Sequence, residues 1–282
     1  MTRRDLLRWM RGLPLFLGFP FSLQKVVASS AFPEKEKRVS IAEHFSGEEL
    51  YYEIGFWLFK KAAWGRLSFR ETEKKGRYLA TLQGETMGVM GLATGYRVDT
   101  YRSLMEEVEG GRRLRAISFE EDVRIGERLR RRTHLFDYQR RKWIRIRRKK
   151  DGTLVKTEEE IPQGQHYDDF LTASYNFRFG VYGEIERGKR FTVPTFPKKG
   201  ASRYEVVVAG REEEERRRKA EKNREGKEYY VTLALDPEIT HSKEGIVEGW
   251  LSKDLYPVEG KIRDVILFGD VTGRLTHKTR VP

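Results

Sequence analysis

The chain has 282 residues, no cysteine, and 56 lysines and arginines against 43 aspartates and glutamates, for a formal net charge of +13. The missing cysteine excludes a disulfide scaffold, a thiol nucleophile, thiolate metal sites and a lipid-modified N-terminal cysteine. The charge favours acidic partners, although a charged fraction of 35% with both signs present also describes a heat-adapted surface.

The N-terminus reads as an address. Arg3, Arg4, Arg8 and Arg11 precede an apolar run from Leu13 to Leu23, and small residues follow at Ala28, Ser29, Ser30 and Ala31. A charged start, a short apolar middle and a small-residue end are the three parts of an export signal. A spanning helix needs roughly 20 apolar residues. This run is shorter, and Pro14, Gly18 and Pro20 interrupt it, which argues against a permanent anchor. Thr2-Arg3-Arg4-Asp5-Leu6-Leu7 resembles the twin-arginine export motif, with ordinary secretion as the competing route. Cleavage after Ala28 or after Ala31 satisfies the small-residue rule equally. Removing residues 1–31 takes away five basic residues and one acid, so the remaining 251 residues stay near +9. The expected product is a soluble periplasmic protein.

Phe32 to Ser46 is a polar lead-in. In Glu49 to Phe59, the residues Leu50, Tyr52, Ile54, Phe56 and Leu58 share one face by the two-residue period of a strand. Lys60 to Ala63 suits a hairpin link, and Trp64 to Arg70 is a second strand carrying Leu67 and Phe69. Tyr78 to Thr86 is a third. Gly84, Gly88, Gly91 and Gly95 lack the strand-turn-helix setting that cradles phosphate and are assigned to turns or bulges.

The middle of the chain is basic. Arg113 to Glu120 alternates Leu114, Ala116 and Ser118 against its other face, and Arg128 to Tyr138 and Arg141 to Arg148 follow. Trp143 and Ile144 lie among Arg141, Lys142, Arg145, Arg147 and Arg148. A basic strand with an aromatic can meet nucleic acid, but the wet face of an antiparallel sheet explains it more simply. Asp151-Gly152 marks a tight turn. Asp168 to Phe179 is the best helix candidate, capped by Asp168 or Asp169. Strands resume at Lys189 to Val193, Tyr204 to Ala209 and Tyr229 to Leu235. Arg211 to Lys227 has no apolar face, so it is expected as a hairpin tip or solvated helical turn that docks on no core. Ile246 to Leu251, Asp254 to Lys261, Arg263 to Phe268 and Val271 to Thr276 complete the series. Without an internal repeat or clear boundary, 47–278 reads as a single antiparallel β domain, sheet or barrel-like, with the charged insertion 211–227. Its two ends, near Gly47 and Gly245, are expected to meet in one sheet.

Candidate chemistry is sparse. The five histidines, His44, His134, His166, His241 and His277, are too far apart in sequence to form a local metal pair. His166-Tyr167-Asp168-Asp169 is the densest polar cluster, either an acid–base group or, more simply, a helix cap. No nucleophile elbow, phosphate-binding loop or dinucleotide fingerprint is present. No catalytic residue, metal or cofactor is therefore assigned. Trp250 is expected to pack into the core, with Ser252 and Asp254 holding a turn and Pro257 restarting the chain.

Three segments resemble the bacterial domain-of-unknown-function family 3108. Phe45-Ser46-Gly47-Glu48-Glu49-Leu50-Tyr51-Tyr52-Glu53-Ile54, followed by Ala63 to Phe69, resembles its opening Gly-Glu-x-Leu-x-Tyr strand and the small-residue strand after it. Tyr167 to Arg178 is similar to its Asp-x-Leu-Ser-Ala-x-Tyr-x-x-Arg helix, with Thr172 where serine is usual. Gly245 to Val258 is similar to its Trp-Leu-Ser-x-Asp-x-x-x-Pro hairpin. The insertion from Arg211 to Lys227 is a departure. The resemblance implies a mainly β, exported protein. It would be a curved antiparallel sheet or half-barrel with one packed helix near 168–179, similar to envelope carriers such as the lipoprotein localisation factors. Fold does not fix function. On such a sheet, Tyr52, Ile54, Phe56, Leu67 and Phe69 either line an apolar concavity or form a core closed by the helix. The first functional expectation is a non-enzymatic envelope protein that binds or carries an apolar or amphipathic component, a lipid or a lipoprotein. The second is an interaction module whose basic face, Arg141, Arg145 and Arg147, meets acidic polysaccharide or partner proteins in envelope assembly. A hydrolase using His166, Asp168 and Asp169 is third. The export machinery is an expected partner and nucleic acid is not.

Overall fold

The computed structural model describes residues 39–281 apart from 57–58, 150, 199–200, 222–224, 236, 241 and 266–268. The export leader, with its cleavage positions Ala28 and Ala31, lies outside the described residues, as does His241. The elements run α1 (Ile41–Phe45), β1 (Glu48–Phe56), β2 (Phe59–Glu71), β3 (Arg77–Thr86), α2 (Gly88–Thr94), β4 (Val98–Val108), β5 (Arg113–Ile125), β6 (Arg128–Asp137), β7 (Lys142–Arg148) and β8 (Leu154–Glu160). After α3 (Phe170–Arg178) come β9 (Arg190–Lys198), β10 (Ala201–Val208), α4 (Arg211–Ala220), β11 (Tyr229–Ala234), α5 (Pro237–Thr240), β12 (Ile246–Leu251), β13 (Pro257–Val265) and β14 (Gly269–Arg280).

The strands form one antiparallel sheet in the order β8-β7-β6-β5-β4-β3-β2-β1-β14-β13-β12-β11-β10-β9. The chain starts mid-sheet and runs outward strand by strand to β8. It crosses through α3 to the opposite edge at β9 and returns to the middle. This path makes β1 and β14 neighbours. Val281 N donates to Gly47 O at 2.8 Å and Gly47 N to Phe69 O at 3.0 Å. Gly47 has φ +73°, and a Cβ there would lie 1.8 Å from Val281 O, so only glycine fits. The ends do meet in one sheet, but at Gly47 and Val281. Gly245 instead opens β12, three places from β1 in the sheet order.

The sheet is curved and not closed. Cross-strand glycine pairs remove side chains from one face: Gly249 faces Gly260, which faces Gly273, and Gly65 faces Gly84. Glycine in strand interiors marks tight bends and close backbone approach. At Gly249 a Cβ would come 2.5 Å from Glu259 O. The curl brings Phe196 of edge strand β9 to 4.5–6.4 Å, between ring centroids, from Phe119, His134, Phe136 and Trp143 of β5–β7. The sheet thus wraps around α3.

Local departures from the sequence expectation have physical causes. The polar lead-in contains α1, whose Ile41, Ala42 and Phe45 are buried, with Ser40 as N-cap. Lys60 to Ala63 is not a link but the start of β2, where Ala62 and Ala63 pack with Phe56 and half-buried Met90 of α2. The glycine-rich stretch is partly helical, ending at Gly95 with φ +65°. The alternation Leu114-Ala116-Ser118 breaks because Ile117 is an extra residue in the β4–β5 ladder: Met105 faces Ala116 and Leu104 faces Ser118. Burial then passes to Phe119 and Glu121. Of the segment expected at Arg263 to Phe268, Arg263 to Val265 continue β13 and 266–268 lie outside the described residues. The Asp151-Gly152 turn forms, with Gly152 at φ +87°.

The charged insertion docks, against expectation. In α4 the acids Glu212, Glu213 and Glu214 fill the first turn and Arg217, Arg218 and Lys219 the last, complementing the helix dipole. Docking uses ring faces and ion pairs instead of an apolar stripe. Arg217 lies 4.8 Å from the Tyr230 ring centroid, Arg218 5.3 Å from that of Trp250, and Arg187 Nε donates to Glu214 at 2.7 Å. Trp250 Nε1 donates to Glu221 at 2.5 Å. Trp250 is thus buried beneath this charged segment, outside the main core formed around α3.

Candidate functional site: an apolar cavity beside the central helix

Helix α3 is buried on nearly every side. Asp169 caps it, accepting from Leu171 N at 2.9 Å and Thr172 N at 3.1 Å. Its other carboxylate oxygen accepts from the Ser103 hydroxyl at 2.6 Å and the Thr172 hydroxyl at 2.7 Å, which stitches the helix to β4. Burial pushes the Asp169 carboxyl above its ordinary pKa, and the hydroxyl and amide donors pull the other way. Asp168 Oδ2 accepts from Arg113 Nη2 at 2.6 Å, the Tyr182 hydroxyl at 2.5 Å and Asn176 Nδ2 at 3.3 Å. Burial pushes its pKa up to about 6, against the pull of the Arg113 guanidinium and the Tyr182 hydroxyl. His166 lies 5.4 Å from Tyr138, centroid to centroid. Its pKa is lowered by burial, then by Arg113 and Arg115. Both aspartates are fully buried and hold the helix start in place.

The helix divides the interior. Toward the N-terminal strands, packing is solid: Phe45, Leu50, Leu67, Phe69, Met105 and Tyr175 are each at most 6% exposed. Toward the C-terminal strands lies a cavity of about 180 Å³. Ala173 and Phe177 of α3 form one wall, with Val206, Leu233 and Leu251 opposite. The backbones of Gly249 and Gly260 also line it, where no side chain fills the space. Ser174, Arg178, Glu248 and Glu259 are also among the lining residues, the rest of which are apolar or glycine.

Tyr52, Ile54, Phe56, Leu67 and Phe69 do not line this cavity. Leu67 and Phe69 belong to the solid core, where Phe69 meets Tyr175 at 4.8 Å. The Tyr52 hydroxyl donates to Pro257 O at 2.9 Å. Ile54 lies over Gly65, and Phe56 packs with Ala62 and Ala63. The cavity forms on the other side of the helix because the small residues Ala173, Gly249 and Gly260 face one another there. The inward Tyr229-Val231-Leu233-Leu235 alternation was the available sequence signal.

Of the basic residues, Arg145 and Arg147 share one face of β7 by the two-residue period, and Arg141 stands outside the strand. Arg141 sits in the turn before β7 with φ +55°, paired with Glu160. Arg145 shares a strand face with Trp143, stacks 5.7 Å from its ring centroid and donates to Thr157 Oγ1 at 3.3 Å. Arg147 is exposed. Among the described residues, no group of three His, Asp or Glu side chains is placed to hold a metal ion.

A single buried ion pair joins all three resemblance segments. Arg178 donates from Nη1 and Nη2 to the two Glu48 oxygens at 2.7 and 2.6 Å, and from Nε to Leu255 O at 2.9 Å. Glu48 comes from the opening strand, Arg178 from the helix and Leu255 from the turn after Trp250. The model of a family described as a protein of unknown function, DUF3108, matches residues 49–276. The chain belongs to the DUF3108 family. No curated protein and no solved structure matches it. In this DUF3108 member the Trp-Leu-Ser-x-Asp hairpin acts as structure. Ser252 N donates to Tyr256 O at 2.8 Å and Tyr256 N to Ser252 Oγ at 3.1 Å, while Leu255 takes φ +61°. Among the described residues Asp254 makes no such bond. Pro257 opens β13.

Proposed function

We propose that this protein is an exported, non-enzymatic carrier that shelters one apolar chain end of an amphipathic envelope molecule beside α3. The apolar cavity carries the reading. An apolar cavity of about 150 Å³ stays dry and admits a benzene-sized molecule, whereas pockets for whole drug-sized ligands run to roughly 300–1,000 Å³. At about 180 Å³ the space suits the end of a hydrocarbon chain, leaving a polar head outside. Burying each CH₂ is worth about 0.8 kcal/mol, so a few carbons suffice for measurable binding.

The test is titration with a fluorescent long-chain fatty acid. The wild-type protein binds it. Leu233→Trp, which fills the cavity, weakens binding about tenfold or more, the equivalent of two lost CH₂ contacts. Equal binding by both, or none by the wild type, overturns the carrier reading.

Export rests on the leader. Protein isolated from its own host is expected to begin immediately after Ala28 or after Ala31, as read by intact mass. A mature chain that keeps Thr2 overturns the periplasmic assignment.

A further inference from the structure

Of the ten large apolar side chains exposed among the described residues, eight lie at one end of the sheet. It is the end where β1, β3 and β5 finish and β2, β4, β6 and β8 begin. Phe59 starts β2, Ile125 ends β5, and Leu129 and Leu154 open β6 and β8. Met87, Val89, Leu92 and Tyr96 belong to the α2 connection between β3 and β4. Chance scatter would divide such residues between the two ends; this distribution makes an apolar rim.

The rim is built to hold its shape. Met90 anchors α2 against Phe56, Ala62 and Ala63, which turns Val89 and Leu92 outward at 67% and 70% exposure. Gly126 N donates to Gly95 O at 2.8 Å, joining the α2 connection to the β5–β6 hairpin. A Cβ on Gly95 would lie 3.6 Å from Ile125 Cγ2, so the two tips form one surface.

Cations flank it. Arg124 and Arg128 bracket the hairpin tip, and Arg130, Arg147 and Arg148 continue along β6 and β7. Among the described residues, none of the five has a carboxylate at ion-pair distance; Glu127 is the acid nearest in sequence at the tip. Neighbouring arginines of the same strands are paired, as in Arg131–Asp122 and Arg115–Glu106. Exposed apolar side chains beside unpaired cations match the interface of an anionic bilayer, which offers hydrocarbon and phosphate together. An acidic polysaccharide would use the arginines and leave the apolar rim unexplained. The cavity lining reaches Leu235 and Val247, next to the end of β11 and the start of β12, at this same end of the sheet.

We propose that this end of the sheet docks on anionic membrane, with Val89, Leu92 and Ile125 entering the head-group layer and Arg124, Arg128 and Arg130 meeting lipid phosphates. Delivery from the cavity rests on the carrier reading; docking does not.

Vesicle flotation of the protein tests it, using phosphatidylcholine alone and phosphatidylcholine mixed with phosphatidylglycerol. Binding is expected on the mixed vesicles, with loss on added salt. Val89→Glu with Leu92→Glu reduces it about tenfold or more. Arg124→Glu and Arg128→Glu each reduce it by about fivefold or more. These side chains are exposed, so thermal unfolding stays at the wild-type temperature and reports folding independently. Leu233→Trp retains vesicle binding, so loss of fatty-acid binding alone sinks the carrier and leaves docking standing. Equal binding to both vesicles overturns the proposal. So does binding that survives the Val89 and Leu92 changes, or a soluble acidic polysaccharide that competes equally with wild type and that double variant. A dimer broken by Val89→Glu and Leu92→Glu, without vesicle binding, assigns the rim to self-association instead.

Discussion

Arg178→Met is expected to destabilise the fold by about 3–5 kcal/mol, the cost of breaking a buried ion pair from one side. Both side chains are 3% exposed, so solvent screens little of the interaction. The substitution would leave the Glu48 carboxylate buried without its two donors and Leu255 O without the Nε donor. The guanidinium also lies 4.7, 5.4 and 5.3 Å from the ring centroids of Phe45, Tyr175 and Tyr256, contacts that methionine replaces only in part. The expected cost is a large share of a typical domain stability of about 5–15 kcal/mol. Arg178→Lys is expected to rescue little, because an ammonium cannot present the planar fork and the third donor together. Glu48→Gln should be comparably severe. The double variant Glu48→Gln with Arg178→Met should cost less than the two singles combined, since no buried charge is then left unpaired. Urea midpoints read these values. A loss below about 1 kcal/mol for Arg178→Met would show that the three segments are not locked through this pair. Where Arg178→Met fails to fold, Glu48→Gln and Arg178→Lys give the same comparison.

The same residues show what was legible in the sequence. Asp168 to Phe179 read as a helix capped by Asp168 or Asp169 because the cap residue and the apolar spacing are local; Asp169 is the cap. The mainly β class was legible because Leu50, Tyr52, Ile54 and Phe56 alternate within one strand. The partner of Arg178 was not legible: Glu48 lies 130 residues away, and only the β1–β14 pairing and the crossover bring them together. Docking of α4 was hidden for another reason. Periodicity scores apolar faces, whereas Arg217 and Arg218 dock by laying guanidinium planes on Tyr230 and Trp250. The apolar alternation of β1 and β2 points to the wrong half of the sheet for the cavity, whose walls are defined in part by what is missing. Gly249, Gly260 and Ala173 contribute space, and a search for bulky residues at Phe56 and Phe69 finds the filled half instead. Ile117 shows the limit of alternation itself: one extra residue exchanges the inward and outward faces for the rest of β5.

Asp168 should give the protein a pH-dependent stability that Asp168→Asn removes. Its folded pKa of about 6 lies above the ordinary aspartate value of 3.8, because burial penalises the charged carboxylate more than Arg113, Tyr182 and Asn176 favour it. The sign follows from linkage. A carboxyl whose folded pKa is raised holds its proton more tightly in the folded state. Its contribution is therefore fully present below the unfolded value and is lost as pH rises through about 6. A shift of roughly two units corresponds to about 3 kcal/mol, taken up between pH ~4 and ~6. Asp168→Asn presents one carbonyl oxygen to the same three donors and does not titrate. The difference in unfolding free energy between wild type and Asp168→Asn should change by about 3 kcal/mol across that window, with wild type gaining relative stability on acidification. Taking the difference cancels the other titrating groups. Parallel profiles would place Asp168 at an ordinary pKa and make Arg113 the stronger influence on it. A difference of the opposite slope would mean that the ion pair, and not burial, governs the start of α3.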